Sequence, residues 1–562
     1  MKTTLLGMGL LVVWASLSEA QVLSDIYDFG GIPDDGQSPV GLVLGTNGNF
    51  YGVTRNGGTN GDGSLFQLTV AGVETPLYSF KDGNDGSSPG AGMTQGTNGL
   101  FYGVAEVGGS NGFGSIFSIT TNGVFTALHA FVLPRSTKTG LITNSDGYTP
   151  SAALILSTNG NFYGSAAQGG TNGYGTLFQM THQGKVTVLY SFSNNVDGGA
   201  PKAALFQFTN GYFYGTTTTG GSNGLGTMFQ LSPAGKLTAL YSFTGGDDGG
   251  IPEAALINGH DGNLYGTCTT GGNSDSGSGT IFKITTNGAV TPLYSFTDTS
   301  LDAPYYNNDG ADPRTIVLGS DGSFYGAAYD GGTNGAGGIF KFSVAAGLTP
   351  LYSFNYLNYN GATYADADGG EPMTLLLNSD GNFYGIGFAG GTNAGGVAFR
   401  VGFPPQITVQ PSNELVSLHS NASFSVTATG ALAYQWQLDG TNISNATNSA
   451  LNLTNVLVAS AGYYQAILTN LNGAVTSSVV TLGITNVPVS FVAGGGAISY
   501  AGGQVTLELT NLVGQDEVII DASPDLVHWT PIWTNLPTFS QFTLIDTNAA
   551  AFTNRFYRAR SQ

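Results

Sequence analysis

Asn161-Phe162-Tyr163-Gly164-Ser165-Ala166-Ala167 decides the fold. Thr158-Asn159-Gly160 before it predicts a tight hairpin turn, because Asn and Gly tolerate positive φ. The apolar run Ser151–Leu156 upstream of that turn predicts a buried strand. Downstream, Gly169–Gly175 predicts a flexible loop, Thr176–Met180 a third strand, and Val186–Phe192 a fourth after the turn at His182-Gln183-Gly184. Four short antiparallel strands per unit are the pattern of a propeller blade.

The unit repeats. Phe-Tyr-Gly stands at Phe50-Tyr51-Gly52, Phe101-Tyr102-Gly103, Phe162-Tyr163-Gly164, Phe213-Tyr214-Gly215, Phe324-Tyr325-Gly326 and Phe383-Tyr384-Gly385, with Leu264-Tyr265-Gly266 as its variant. Successive tyrosines lie 51, 61, 51, 51, 60 and 59 residues apart. Periods of this size in a β-rich chain mean propellers, solenoids or arrays. The Leu-Tyr-Ser-Phe type of fourth strand follows only the first six units, and a lone Ile26-Tyr27-Asp28-Phe29 precedes the first. The expectation is therefore an all-β chain whose residues 21–403 form a seven-bladed β-propeller, closed by an N-terminal strand on the last blade.

Asp-Gly-x-x-Pro opens every unit, beginning at Asp35, Asp85, Asp146, Asp197, Asp248, Asp309 and Asp368. The structural reading is a turn in which Asp accepts a backbone N–H two residues on. The functional alternative is Ca²⁺ at these Asp-Gly loops. One Asp per blade is few against the about six to eight oxygens Ca²⁺ takes, and no other cofactor is expected.

Composition bounds the partners. The chain has 88 Gly among 562 residues, 41% hydrophobic residues, 9% charged residues and a net charge of −20. That charge argues against nucleic acid and anionic lipid, which need Lys and Arg; a cation or a neutral glycan is the more natural partner. Residues 1–20 have the charged start, apolar stretch and small-residue end of a signal peptide, and no later segment is apolar enough to span a bilayer. Secretion or display outside the cytoplasm is expected. The single Cys268 excludes an intrachain disulfide and is expected to be a buried small residue.

Repeats differ in two places. Most spacings are fixed, but the stretch from the fourth-strand Phe to the next Asp grows from 5 residues (Phe80 to Asp85) to 15, 13 and 14 after Phe131, Phe296 and Phe354. Pro134–Lys138 makes the first of these long loops basic. The other two carry Tyr305, Tyr306, Tyr356, Tyr359 and Tyr364, which are candidate binding residues, since exposed tyrosines stack on sugars or anchor proteins. The residue after the motif proline also varies, being Lys202, Glu253 and Arg314 in units four to six, while Asp312 and Glu371 precede their prolines. Lys202, Glu253, Arg314 and Glu371 should ring the mouth of a central channel and hold a polar ligand, or else pair among themselves.

Through the Asp-Gly-x-x-Pro, Asn-Gly-Asn-Phe-Tyr-Gly, Gly-Gly-Thr-Asn-Gly-x-Gly and Leu-Tyr-Ser-Phe segments, the repeat resembles the GloVer tandem repeat of secreted bacterial proteins. That resemblance implies an extracytoplasmic location and no particular activity. Residues 404–485 resemble a bacterial immunoglobulin-like domain, with Trp436 as the core tryptophan, Tyr464 as the corner tyrosine, and Val426 and Ala466 where cysteines usually stand. Residues 487–562 alternate in polarity as a small β-sandwich and look like a C-terminal module of exported bacterial proteins. Its terminal Arg555, Arg558 and Arg560 suggest export or surface recognition.

The leading expectation is a secreted or cell-surface, non-catalytic binding protein that takes an extracellular glycan or protein on the long-loop face. The alternative is a polysaccharide lyase or glycoside hydrolase, with a carboxylate pair roughly 5–10 Å apart drawn from Glu253, Asp312 and Glu371 at the channel mouth.

Overall fold

A computed structural model describes residues 22–561, apart from residues 139, 274–276, 301–305, 356–357, 360–363, 366–367, 471, 486–489, 492–497, 511, 513–516 and 536–540. The leader expected at 1–20 lies outside the described residues. Two compact units divide the chain, Gln21–Gly402 and Phe403–Gln562. The described residues are all-β, with two short 3₁₀ turns and no α-helix, and no helix is long and apolar enough to cross a membrane.

Seven four-stranded antiparallel sheets follow one another in the first unit. Sheet 1, made of Gln37–Leu44, Phe50–Asn56, Ser64–Leu68 and Glu74–Ser79, sets the plan. In sheet 7 the first three strands are Gly370–Leu377, Phe383–Ala389 and Val397–Gly402. The fourth is Val22–Asp28, antiparallel to Val397–Gly402 with Val22 opposite Gly402 and Asp28 opposite Val397. Its bulge falls between Asp25 and Tyr27, matching the bulge between Leu65 and Phe66 in sheet 1.

Why the sequence repeats Phe-Tyr-Gly is a packing matter. The Phe and Tyr of each second strand are buried, and the Tyr of one sheet lies on the Phe of the next. Ring centroids are 4.1 Å apart for Tyr51–Phe101, 4.2 Å for Tyr102–Phe162, 4.1 Å for Tyr163–Phe213, 4.4 Å for Tyr265–Phe324 and 4.3 Å for Tyr325–Phe383. Tyr214 meets Leu264 in the same core. Tyr384 of sheet 7 lies 4.6 Å from Phe50 of sheet 1, so the order of packing is cyclic. The glycine is forced by the third-strand Phe lying across it: a methyl on Gly52 would sit 2.1 Å from Cζ of Phe66, and one on Gly326 would sit 2.2 Å from Cζ of Phe340.

The Phe that ends each fourth strand adds a second cycle. Phe80 packs on Phe117 at 5.4 Å, Phe192 on Phe229 at 5.4 Å and Phe354 on Phe399 at 5.2 Å. Phe29 packs on Phe66 at 4.9 Å. A third cycle is backbone: the residue before each motif proline donates its N–H to the preceding sheet, as Ser88 does to Asp62 O at 2.8 Å, and Ser38 does so to Gly395 O of sheet 7 at 2.7 Å.

Two sequence expectations are corrected. The first strand at Ser151–Leu156 is paired only at Ile155–Leu156, and sheets 2, 4 and 5 share this shortness. Inner-strand carbonyls in this region serve the neighbouring sheet instead: Thr94 Oγ1 donates to Leu154 O, and Ser165 Oγ to Pro201 O. The Gly-rich segment expected to be a flexible loop is tied down. In sheet 1 its Asn60 Nδ2 donates to Phe80 O at 2.9 Å, and Asn111 and Asn223 repeat the bond to Phe131 and Phe243.

The second unit holds two modules. In the first, Ala433–Leu438 pairs with Gly462–Asn470, and Glu414–Ser417 runs parallel to Val480–Thr485. Its core is built on Trp436, Phe424 and Tyr464, with Val426 and Ala466 buried in it. Tyr464 donates its hydroxyl to Ser460 O at 2.6 Å, four residues upstream. In the second module, Gln504–Thr510 pairs with Gln541–Asp546, and Val518–Ser523 with Thr530–Asn535 and Phe556–Ser561. The terminal arginines, expected to aid export or surface recognition, each pair with a buried acid of their own module. Arg558 and Arg560 each donate to the buried Asp521 at 2.8 Å, and Arg555 donates to Asp546 at 2.5 Å.

Truncating a buried Phe costs about 3–5 kcal/mol. Because Phe29 and Phe80 occupy equivalent sites, Phe29→Ala should lower unfolding free energy as much as Phe80→Ala in urea titrations; an N-terminal segment that packs nowhere leaves Phe29→Ala at wild-type stability. A pH effect follows from Glu74, in the outer strand of sheet 1. Burial, then the charge of Asp35, pushes Glu74 up to about 8, and its Oε1 is buried without a partner. The folded chain thus holds a proton that the unfolded chain releases at about pH 4.3. Stability from this group is full below that pH and is lost as pH rises through about 8. Glu74→Gln should flatten that fall in melting temperature.

Candidate functional site

Each Asp-Gly-x-x-Pro aspartate clasps the chain that leads into it. Asp85 accepts from Tyr78 Oη at 2.7 Å, Lys81 N at 3.1 Å and Gly83 N at 3.3 Å. Asp197 accepts from Tyr190 Oη and Ser193 N, and Asp248 from Tyr241 Oη and Thr244 N. Asp35 does the same across the junction, from Tyr27 Oη at 3.0 Å and Gly30 N. The donors lie upstream of the Asp, the reverse of the direction expected from the motif. Burial, followed by Asp197, pushes the Tyr190 phenol up to about 12. The oxygens a Ca²⁺ would need are thus already faced by N–H and O–H donors. Among the described residues no group of three or more His, Cys, Asp or Glu could hold a metal ion. Cys268 is buried and donates toward Asp248 O, and burial drives its thiol well up, so it is a packing residue.

Just past each clasp, the residue before the proline takes a left-handed backbone. Its φ is 54° at Ser38, 50° at Ser88, 57° at Thr149, 51° at Ala200, 53° at Ile251, 52° at Asp312 and 53° at Glu371. Seven non-glycine residues held at this strained angle fix where the residue after the proline goes. That position supplies Gly90, Ser151, Lys202, Glu253, Arg314 and Met373 to one cavity of about 400 Å³. Arg55, Glu106 and Gln168, at the ends of second strands, complete it, so all seven sheets contribute.

Most of the cavity's charges are paired. Lys202 Nζ lies 2.9 Å from Glu253 Oε1, and Glu253 Oε2 lies 2.8 Å from Arg314. Arg314 grips Asp312 through Nε at 2.9 Å and Nη2 at 2.6 Å, with its guanidinium 4.9 Å from the ring centre of Tyr329. Tyr329 donates to Glu371 Oε2 at 2.6 Å. On the other side, Arg55 Nη2 meets Glu106 Oε2 at 2.6 Å. Burial raises Asp312 above its ordinary value against the pull of Arg314, and raises Glu106 against Arg55 and Lys202.

Lys202, Glu253 and Arg314 therefore meet in one network, as the sequence suggested. Glu371 joins it through Tyr329 and is not in the cavity wall. The carboxylates named as catalytic candidates, Glu253, Asp312 and Glu371, are each held by a cation or a phenol. Of the loop tyrosines, Tyr306 is 45% exposed, its N–H on Ser300 Oγ. Tyr305 and Tyr356 lie outside the described residues. Tyr359 and Tyr364 face each other in a two-residue ladder, their side chains outside the description. Arg55, Glu106 and Tyr329 were missed. They share one repeat position, five residues after the Phe of Phe-Tyr-Gly, where sister units carry Ala167, Thr218, Thr269 and Phe388; the change of charge at that position was the available signal.

A family model described as the Gloeobacter/Verrucomicrobia repeat matches residues 7–150 and 136–308. No curated protein matches the chain. Solved structures similar to part of it include a titin M3 domain, 19% identical over 14% of this chain and 96% of that one, at a TM-score of 0.13. The tandem Ig repeats of Dlar are 16% identical over 20% and 74%, at 0.14. Dpr2 Ig1-Ig2 in complex with DIP-Theta Ig1-Ig3 is 14% identical over 33% and 74%, at 0.21.

Removing the centre of the network should be costly, because it strands two partly buried acids. Arg314→Met is expected to lower stability by about 1–3 kcal/mol. Adding Glu253→Gln and Asp312→Asn should recover part of the loss, read by urea melts of the three variants.

Proposed function

The chain belongs to the Gloeobacter/Verrucomicrobia repeat family, and from the chemistry gathered at the long-loop end of its sheets we propose a secreted or cell-surface binding protein that performs no catalysis. In this reading the sheets of residues 21–403 are the blades of a closed seven-bladed propeller. Residues 404–485 form an immunoglobulin-like domain and residues 487–562 a small β-sandwich. Residues 1–20 direct export. The ligand is an extracellular glycan or protein held at the loop face.

One observation carries the reading. The repeat is nearly invariant where it packs, and at two of the positions where its charge varies, that of Arg55 and Glu106 and that of Lys202, Glu253 and Arg314, the side chains meet in a cavity of about 400 Å³ lined from all seven sheets. Variable groups on a rigid frame are the usual design of a binding surface. Tyr306, exposed in the loop before Asp309, offers an aromatic platform at the same end. The capture of Glu253, Asp312 and Glu371 by Arg314, Lys202 and Tyr329 argues for binding over bond cleavage, since a glycosidase needs one free acid and one free base.

A glycan array probed with the full chain tests this. Retention of a defined glycan class, with no released product by chromatography, is expected, and Tyr306→Ala should weaken retention about threefold to tenfold. Turnover of a polysaccharide lost in Glu253→Gln would overturn the non-catalytic reading.

A further inference from the structure

We infer that the cavity takes a carboxylate-bearing sugar, a uronate, with the carboxylate held by Arg55 and Lys202. This rests on the reading of the loop face as a binding surface and names the ligand class.

The gathering of cations at the cavity is the first support. The chain carries 15 Lys and Arg against 35 Asp and Glu, yet three of those cations, Arg55, Lys202 and Arg314, line this one cavity, with only Glu106 and Glu253 as acids in its wall. The chain-wide charge pointed to a cation or a neutral glycan; here Asp312 on Arg314 brings the cluster to three cations against three acids, a local balance within a strongly acidic chain, in which the half-exposed Arg55 and Lys202 can face an anion.

Donor capacity separates the three cations. Arg314 spends Nε and Nη2 on Asp312 and Nη1 on Glu253, so it is a strut. Arg55 gives a single bond, from Nη2 to Glu106, although a guanidinium has five N–H donors. Lys202 gives one of its three, to Glu253. Their side chains are 41% and 46% exposed, against 29% for Arg314. They belong to sheets 1 and 4, and both line the cavity that Glu106, the partner of Arg55, also walls. The remaining N–H groups of both therefore share one concave space. A carboxylate accepts about four such hydrogen bonds and pairs with Arg in a fork.

The rest of the wall suits the body of a sugar. Ser151 Oγ stands in the wall, buried without a hydrogen-bond partner, and a turn about its χ1 presents it to a hydroxyl. Gln168 adds an amide, and Met373 and Ala167 an apolar side for a ring face.

The test is calorimetric titration of the full chain with D-glucuronate and D-glucose. D-glucuronate should bind at least tenfold tighter, and 0.5 M NaCl should weaken it. Lys202→Gln should cut its affinity at least tenfold, while Lys202→Arg should retain it. Because Arg55→Gln alone strands Glu106, the matched variant is Arg55→Gln with Glu106→Gln, which should keep the wild-type melting temperature and lose D-glucuronate. Equal affinity for both sugars, or D-glucuronate binding unchanged in both glutamine variants, overturns the uronate inference. Array binding of neutral glycans in that case leaves the binding-protein reading standing. No response to either sugar together with a blank array overturns both.

Discussion

The contact of one sheet's tyrosine with the next sheet's phenylalanine is what the rest of this molecule depends on. It sets the distance and angle between neighbouring sheets, and it requires the glycine that follows. Gly52 and its counterparts lie beneath the third-strand Phe, whose ring leaves no room for a Cβ. The tyrosine is held from its far end as well. Asn47, Asn98, Asn159 and Asn210 each donate to its hydroxyl at 2.9 Å, and Asp261, Asp321 and Asp380 accept from it in the later sheets. A three-residue phrase plus one turn residue thus fixes a sheet internally and to its neighbour. Aromatic pairs of this kind add about 0.5–1.5 kcal/mol each beyond their buried area.

Rigidity of the frame confines variation. The motif Asp holds the incoming chain by a phenol and backbone N–H groups, and the residue before the proline is pinned in a left-handed conformation by its bond to the previous sheet. With those atoms committed, a repeat is free to change at the residue after the proline, at the end of its second strand, and in the loop before the Asp. Those are the places where Lys202, Glu253, Arg314, Arg55, Glu106 and the loop tyrosines stand. The site is a product of the scaffold's constraints as much as of its own chemistry.

Much of this was legible in the sequence, and the reasons are specific. A seven-fold repeat reports the strands and turns seven times over, so Thr158-Asn159-Gly160 and its sisters identify their hairpins without ambiguity. The missing fourth strand after Val401 and the spare Ile26–Phe29 told where the first residues pair. Lys202, Glu253 and Arg314 were found because they vary against a constant motif. Other features were hidden. Carbonyls of the inner segments accept from hydroxyls of the preceding sheet, a relation no single-sheet pattern reveals, so the first strands read longer than they are. Asn60 and its sisters read as loop residues because their partners, the Phe80-type carbonyls, lie 20 residues away in sequence. Arg55 and Glu106 are 51 residues apart and meet only across a sheet boundary. The terminal arginines looked like a surface signal, since nothing marks Asp521 as their buried partner.

The central claim is that residues 22–29 complete the last sheet and join it to the first. Native-state hydrogen exchange reads this directly. The account predicts that amides of Val22–Asp28, and the Phe29 N–H bonded to Gly396 O at 3.0 Å, exchange as slowly as those of Glu74–Ser79 and open in the same cooperative unit. Exchange of residues 22–29 at the rate of an unstructured peptide, with Glu74–Ser79 still protected, would contradict it.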